Sequence, residues 1–163
     1  MLFLGIDPGT TRVGYGEVQR TRTGVLILQR HGVIKSGKRY YMDRLEEILK
    51  KLIDVLSHPV KSYDALCMEW GYVDTWHKKN YMAVIKLSEA RGYLTGGLRH
   101  MATDLIVRQP TAIRASIGFK GGKAGKDLVA KQCSSLIRGR PKIQAGDEGD
   151  AVACAISAAL KGG

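Results

Sequence analysis

The chain opens on an apolar run, Leu2-Phe3-Leu4-Gly5-Ile6, which reads as a strand buried on both faces. Asp7-Pro8-Gly9 turns it at once, and residues 13–18 return as an antiparallel partner. Residues 24–28 and 32–34 extend this to a third strand with a bend. From 44 to 56 the apolar positions Leu45, Ile48, Leu49, Leu52, Ile53 and Leu56 form the stripe of an amphipathic helix, ended by Ser57-His58-Pro59. Ala65-Leu66-Cys67-Met68 is a short buried strand closed by Glu69. A second helix is expected over about 80–98, with Gly92, Gly96 and Gly97 weakening its second half. Residues 104–107 form another strand, and helices follow over about 126–137 and 147–160. The order βββαβαβαα predicts an α/β fold with a mixed five-stranded sheet and helices on both faces.

At 163 residues and 44% hydrophobic content, residues 1–163 are expected to form one domain with a core of its own. No apolar stretch is long enough to span a membrane, and the first strand lacks the features of a signal peptide. Cys67, Cys133 and Cys154 have no metal-ligand spacing and read as buried, reduced thiols. A cytoplasmic setting without a membrane partner is therefore expected.

Charge narrows the class of partner. Lys and Arg number 26 against 15 acids, a net charge of +11. Residues 108–142 hold nine basic side chains and one acid, Asp127. Within them, Lys120-Gly121-Gly122-Lys123-Ala124-Gly125-Lys126 interleaves glycine with lysine, which lets backbone amides approach phosphates. A solvated cationic face would account for the charge alone. The clustering favours nucleic acid as the partner.

The acids carry the candidate chemistry. Asp7 and Glu69 each close a buried strand, where an unpaired carboxylate is costly. An Asx-turn at Asp7 and a salt bridge at Glu69 are the structural alternatives. Asp147 and Asp150 lie three residues apart at a helix start, on one face, where capping is the ordinary explanation. The Ala/Val-rich helix behind them is expected to be buried, which turns the pair inward. With the first and fourth strands as neighbours, all four carboxylates converge at one end of the sheet. Hard oxygen ligands suit Mg²⁺ or Mn²⁺. Two such ions about 3.5–4 Å apart can activate water and stabilise the leaving oxygen in phosphodiester hydrolysis.

Several motifs together resemble the RuvC family of Holliday-junction endonucleases, within the ribonuclease H-like fold. These are Gly5-Ile6-Asp7-Pro8-Gly9 with Gly14-Tyr15-Gly16, then Met68-Glu69, then Lys86-Leu87-Ser88-Glu89-Ala90-Arg91-Gly92, and Gln144-Ala145 through Asp147-Glu148-Gly149-Asp150-Ala151. The resemblance implies metal coordination by Asp7, Glu69, Asp147 and Asp150, with two ions in each site, and Lys126 as the phosphate-contacting lysine of the catalytic set. It implies a second basic contact at Arg114 and an aromatic wedge at the junction centre at Tyr72. A homodimer cutting two like strands of a four-way junction is implied too, with branch-migration proteins as further partners. The central helix, with Tyr81, Val84, Ile85, Ser88 and Gly92 on one side, is the expected dimer contact.

Two features depart from the family pattern. Trp70 replaces a glutamine after the second acid, and the loop over 119–125 is longer, adding Lys120 and Lys123 as expected DNA contacts. Trp70 is expected to fill core, while Tyr72 and Trp76 are expected in a loop where they stack on bases. His31, His58, His77 and His100 are expected at the surface without ligand partners. Competing readings are a broader branched-DNA nuclease, a non-catalytic nucleic-acid-binding protein, and a sugar-kinase-like ATPase. The last shares the first loop but needs a second, duplicated domain that 163 residues do not accommodate.

Overall fold

The computed structural model describes residues 1–57, 62–70, 81–120 and 124–161. Three consecutive strands come first: β1 (Leu2–Asp7), β2 (Arg12–Arg20) and β3 (Leu26–Lys35). Helix α1 (Tyr41–Leu56), β4 (Tyr63–Glu69) and α2 (Tyr81–Leu98) follow. A short 3₁₀ turn then leads into β5 (Ala102–Arg108), and α3 (Pro110–Ser116), α4 (Lys126–Leu136) and α5 (Asp147–Lys161) complete the order. The strands form one sheet in the order β3-β2-β1-β4-β5. β1 pairs antiparallel with β2 and parallel with β4, and β4 pairs parallel with β5. The expected mixed five-stranded α/β sheet is what the chain forms.

Alternation along the central strands sorts the core into two layers. Phe3, Ala65 and Cys67 face one side, where α3, α4 and α5 pack. Leu4, Ile6, Leu66 and Met68 face the other, against α1 and α2. The bend expected in the third strand is a bulge: Glu17 pairs with Arg30 and Val18 with Leu28, leaving Gln29 as the extra residue. Beside it Glu17 is fully buried, its carboxylate 2.7 Å from Arg30 Nε. Arg30 also donates to the Val55 and Leu56 carbonyls and so satisfies the C-terminal end of α1.

Helix α2 runs over the expected residues, while α3 and the strand lengths differ from expectation. Helix α2 continues unbroken to Leu98 despite its glycines. At Gly97 any side chain would overlap Leu49 of α1, so the glycine serves helix–helix approach and tertiary packing outweighs its low propensity. Helix α3 was not expected. It is too short for a periodic apolar pattern, and its one local signal is Pro110 at the first helical position. β4 and β5 each extend beyond their apolar centres by ladder pairing, which reaches Tyr63↔Ala102 at one end and Glu69↔Arg108 at the other. Among the described residues, no helix is long and apolar enough to cross a membrane.

The most buried element is α5, in which residues 151–159 are all sequestered. It lies directly on β1 and β2 because the strands present glycines beneath it. Gly5 and Gly16 are register partners, and Gly14 sits opposite Asp7. A Cβ at Gly5 would overlap the Ala151 carbonyl, one at Gly14 the Asp147 carbonyl, and one at Gly16 would lie 2.9 Å from Val152 Cα. Backbone atoms cannot move aside as a flexible side chain could. Gly14→Ala is therefore expected to destabilise the protein by about 1–3 kcal/mol, as overpacking does. It should also displace the start of α5, so a melting curve should show reduced stability, and any nuclease activity should fall further than unfolding alone explains. An unchanged melting temperature would show that the helix does not rest on that glycine.

Candidate active site

The C-terminal ends of β1 and β4 lie side by side, since Ile6 pairs with Met68 one residue before each acid. Asp7 shares the face of Phe3 and Gly5, and Glu69 that of Ala65 and Cys67, so both carboxylates turn toward α5. The first turn of α5 supplies Asp147 and Asp150, fixed in height by Gly14. The Asp150 amide donates to the Gly146 carbonyl at 2.9 Å, and Gly146 has φ +98°, a turn conformation open to glycine. Helix α4 begins at the same end. Its packing on α5 at Ala130 and Gly149 brings Lys126 to the acids.

Electrostatics ties the four acids together. Asp7 is pushed up to about 8, first by burial and then by repulsion from Glu69, Asp150 and Asp147, with Lys126 pulling the other way. Burial also raises Glu69, followed by the Asp150 charge, against Arg114, Arg91 and Lys126. Asp150 is raised by burial, opposed by Lys126 and Arg114. Lys126 Nζ lies 3.7 Å from Asp150 Oδ2 and 4.0 Å from Asp147 Oδ1. Among the described residues no three acidic, histidine or cysteine side chains gather around one point as a finished ligand cage. Asp147 is engaged by Arg12, whose Nε lies 2.5 Å from Oδ2. A cleft of about 140 Å³ opens between the β1–β2 turn and α5, lined by Asp7, Pro8, Gly9, Thr11, Arg12 and Asp147. Oxygen-only donors, among them Asp7, Glu69 and Asp150 raised first by burial and then by neighbouring carboxylates, fit a hard divalent cation.

The structure thus brings Asp7, Glu69, Asp147, Asp150 and Lys126 to one sheet end, with Arg114 close enough to act on Glu69 and Asp150. Lys120 is exposed, and Tyr72 and Lys123 lie outside the described residues, as do His58, Trp76 and His77. Trp70 is not core: it is 41% exposed, with Arg91 5.7 Å over its ring. The strand ends at Glu69, so the next side chain on the α2 face passes the end of the packed layer. Arg108 does not join the expected cationic face, because it turns inward to the Ser157 carbonyl and hydroxyl at 3.0 and 2.7 Å. His31 has a partner after all. Its Nδ1 lies 2.9 Å from Glu148, which also accepts from the Gln144 amide. Glu148 is buried against the bend of β3, a contact across 117 residues that no local pattern signals. Arg12 was also missed, although its place just after the Asp7 turn is the signal that could have found it.

The family model for crossover junction endodeoxyribonuclease RuvC matches residues 3–158. The chain belongs to this family. It is 31% identical to the crossover junction endodeoxyribonuclease RuvC of Trichlorobacter lovleyi over 96% of this chain and 83% of that protein. Identity to the protein of the same description from Nitratidesulfovibrio vulgaris is 29%, over 94% of this chain and 87% of that one. Thermus thermophilus RuvC in complex with a Holliday junction substrate shares the fold at TM-score 0.82 and 21% identity, covering 99% of this chain and 94% of that one. The yeast mitochondrial Holliday junction resolvase shares it at TM-score 0.62 and 12% identity, covering 97% and 75%.

The raised Asp7 sets a pH dependence for the metal-free protein. An unfolded aspartate releases its proton near pH 4, whereas folded Asp7 holds it to about pH 8. The folded state therefore binds more protons across that window, and stability falls as pH rises from about 4 to about 8. In chelator, the melting temperature of the wild type should drop over this range, and Asp7→Asn should flatten the drop. Parallel curves for the two proteins would remove Asp7 as its source.

Proposed function

We propose that the protein is a divalent-metal-dependent endodeoxyribonuclease that resolves four-way DNA junctions by paired, symmetric nicks as a homodimer. The observation that carries this reading is the meeting of four acids, from β1, β4 and α5, beside Lys126 in a chain of the RuvC family. Asp7, Glu69, Asp147 and Asp150 would hold Mg²⁺ or Mn²⁺, two ions in each site. The ions supply water activation and charge stabilisation at the leaving oxygen.

The remaining work falls to the chain's own side chains. Lys126, its ammonium beside Asp147 and Asp150, offsets charge developing on the phosphoryl oxygens. Arg114 adds a second positive charge on the side of Glu69 and Asp150. Arg12 and Lys120, both exposed, are placed to meet the flanking phosphates. Lys123 extends the basic loop and Tyr72 acts as the wedge that holds the junction centre open. Asp7, protonated near neutrality without added positive charge, becomes a full carboxylate only when cations balance its neighbours.

Four-way, three-way and linear duplex DNA, incubated with Mg²⁺ and sized on a denaturing gel, test the reading. Symmetric paired nicks confined to the four-way junction are expected. Equal cutting of three-way DNA would make the enzyme a broader branched-DNA nuclease, and no cutting would make it a binding protein. Asp7→Asn and Glu69→Gln should each lower cleavage about a hundredfold or more while junction binding holds or tightens, because removing negative charge cannot weaken attraction to phosphate. Wild-type rates in either variant would refute the assignment.

Support for the dimer comes from α2. Tyr81, Met82 and Ile85 are 68%, 63% and 40% exposed, and Ser88 and Gly92 continue the uncovered side. Gly92 and Gly96 have open space where a side chain would stand, which admits a second helix at close range. Two nicks related by the two-fold symmetry of a junction require two sites on the same axis. Sedimentation should find a dimer at micromolar concentration and a monomer for Ile85→Asp. A wild-type monomer would contradict it.

A further inference from the structure

Trp70 follows Glu69 directly, and its amide donates to the Arg108 carbonyl at 2.7 Å, so the β4–β5 ladder fixes its backbone. Alternation sends Glu69 toward α5 and Trp70 toward α2. There the ring meets Arg91, whose guanidinium carbon lies 5.7 Å from the ring centroid. Arg91 is only 7% exposed, and its charge acts on Glu69 and Asp7 around the end of the sheet. One buried cation therefore touches the indole and favours the charged form of a proposed metal ligand.

An indole that only filled space would be covered. Trp70 remains 41% exposed at the carboxyl end of the central strands, where open α/β sheets bind their ligands. With the guanidinium against the ring, the rest of its surface is rigidly presented to solvent, one residue from the acid. Flat, rigid, exposed aromatic surface beside a phosphodiester-cutting site has an evident complement in an unstacked nucleobase.

We propose that Trp70 is a specificity-determining residue, its indole held by Arg91 as a stacking platform for a nucleobase next to the scissile phosphate. The inference rests on the nuclease reading above and adds to it a base contact separate from the wedge assigned to Tyr72. Arg91 is a positioning residue, acting on DNA only through the ring it holds. Stacking discriminates bases by the area of their faces and by how readily each leaves the helix, so Trp70 biases which positions near the junction are cut.

The test compares Trp70→Ala, Trp70→Phe and Arg91→Lys with the wild type. Cleavage positions and kcat/KM are read on a four-way junction with a movable branch point, alongside melting temperature and binding to linear duplex. Trp70→Ala is expected to lose about tenfold or more in junction kcat/KM and to spread its cuts over more positions, with duplex binding unchanged. Trp70→Phe should keep most of the selectivity, and Arg91→Lys, which preserves the charge but not the planar contact, should blur it. A direct signal comes from emission. The chain has two tryptophans, so in a Trp76→Phe background Trp70 alone reports, and a junction bound without divalent metal should quench it. Wild-type cut positions and rates in a folded Trp70→Ala protein, or emission indifferent to the junction, would overturn the proposal. A wild type that binds junctions but cuts none would instead remove the nuclease reading while leaving the quenching result to stand alone.

Discussion

Everything at the candidate site depends on how closely α5 lies on the sheet. Ordinary side chains would hold a helix away from the strands, and the carboxylates of α5 would then stand well away from Asp7. Here Gly5, Gly14 and Gly16 remove that spacer, and backbone atoms of Asp147, Ala151 and Val152 come to rest on the strands themselves. The small residues of α5 complete the fit, since Ala151, Ala155 and Ala158 are fully buried without needing room. The contact lets two acids on a helix approach one acid on a strand from across the layer. It fixes their separation through backbone rather than rotamers, which is the rigidity a metal site demands.

That closeness has an electrostatic cost, and the surroundings show how it is met. Burial first, and then repulsion from the neighbouring carboxylates, keeps Asp7 protonated to about pH 8. Cations come from separate elements to offset them: Arg12 from β2, Arg91 from α2, Arg114 from α3 and Lys126 from α4. Their number does not remove the strain, since Glu69 and Asp150 are still raised. Compact divalent charge would meet the deficit where longer side chains reach it only from the rim. Arg12 and Lys126, more than half exposed, can leave Asp147 without losing packing. On the proposed reading they would exchange a carboxylate for a phosphate when DNA approaches.

How much of this could be read from the chain follows from where each interaction lies in sequence. The strands, α1 and α5 are periodic or uniformly apolar, so local pattern finds them. The four acids were legible because each ends an apolar element, an expensive place for charge. The glycines of the first motif were legible as a motif, but their steric purpose required α5 overhead. Contacts between distant segments left no local trace. His31 meets Glu148, Arg108 turns to Ser157, and Glu17 is buried against Arg30 beside a bulge. Helix α3 was lost to its brevity. Trp70 was misplaced because aromatic residues beside a buried strand usually pack, and only the strand's end at Glu69 shows that this one has passed beyond the layer.

These observations divide the molecule into a part that cannot vary and a part that can. The glycine floor, α5 and the acids at the strand ends are locked by backbone contact, so a change in one displaces the others. The cationic and aromatic groups around them are held by side-chain contacts at helix starts and strand ends: Lys126 beside Asp147 and Asp150, Arg12 on Asp147, and the Trp70 ring against Arg91. On the proposed reading, exchanging Arg12 or Trp70 would alter what is recognised with little effect on the hydrolytic geometry. Trp70 and Lys120, both exposed, fall in this outer part. Chemistry shared with relatives of about 30% identity can therefore coexist with a different reading of the DNA around the cut.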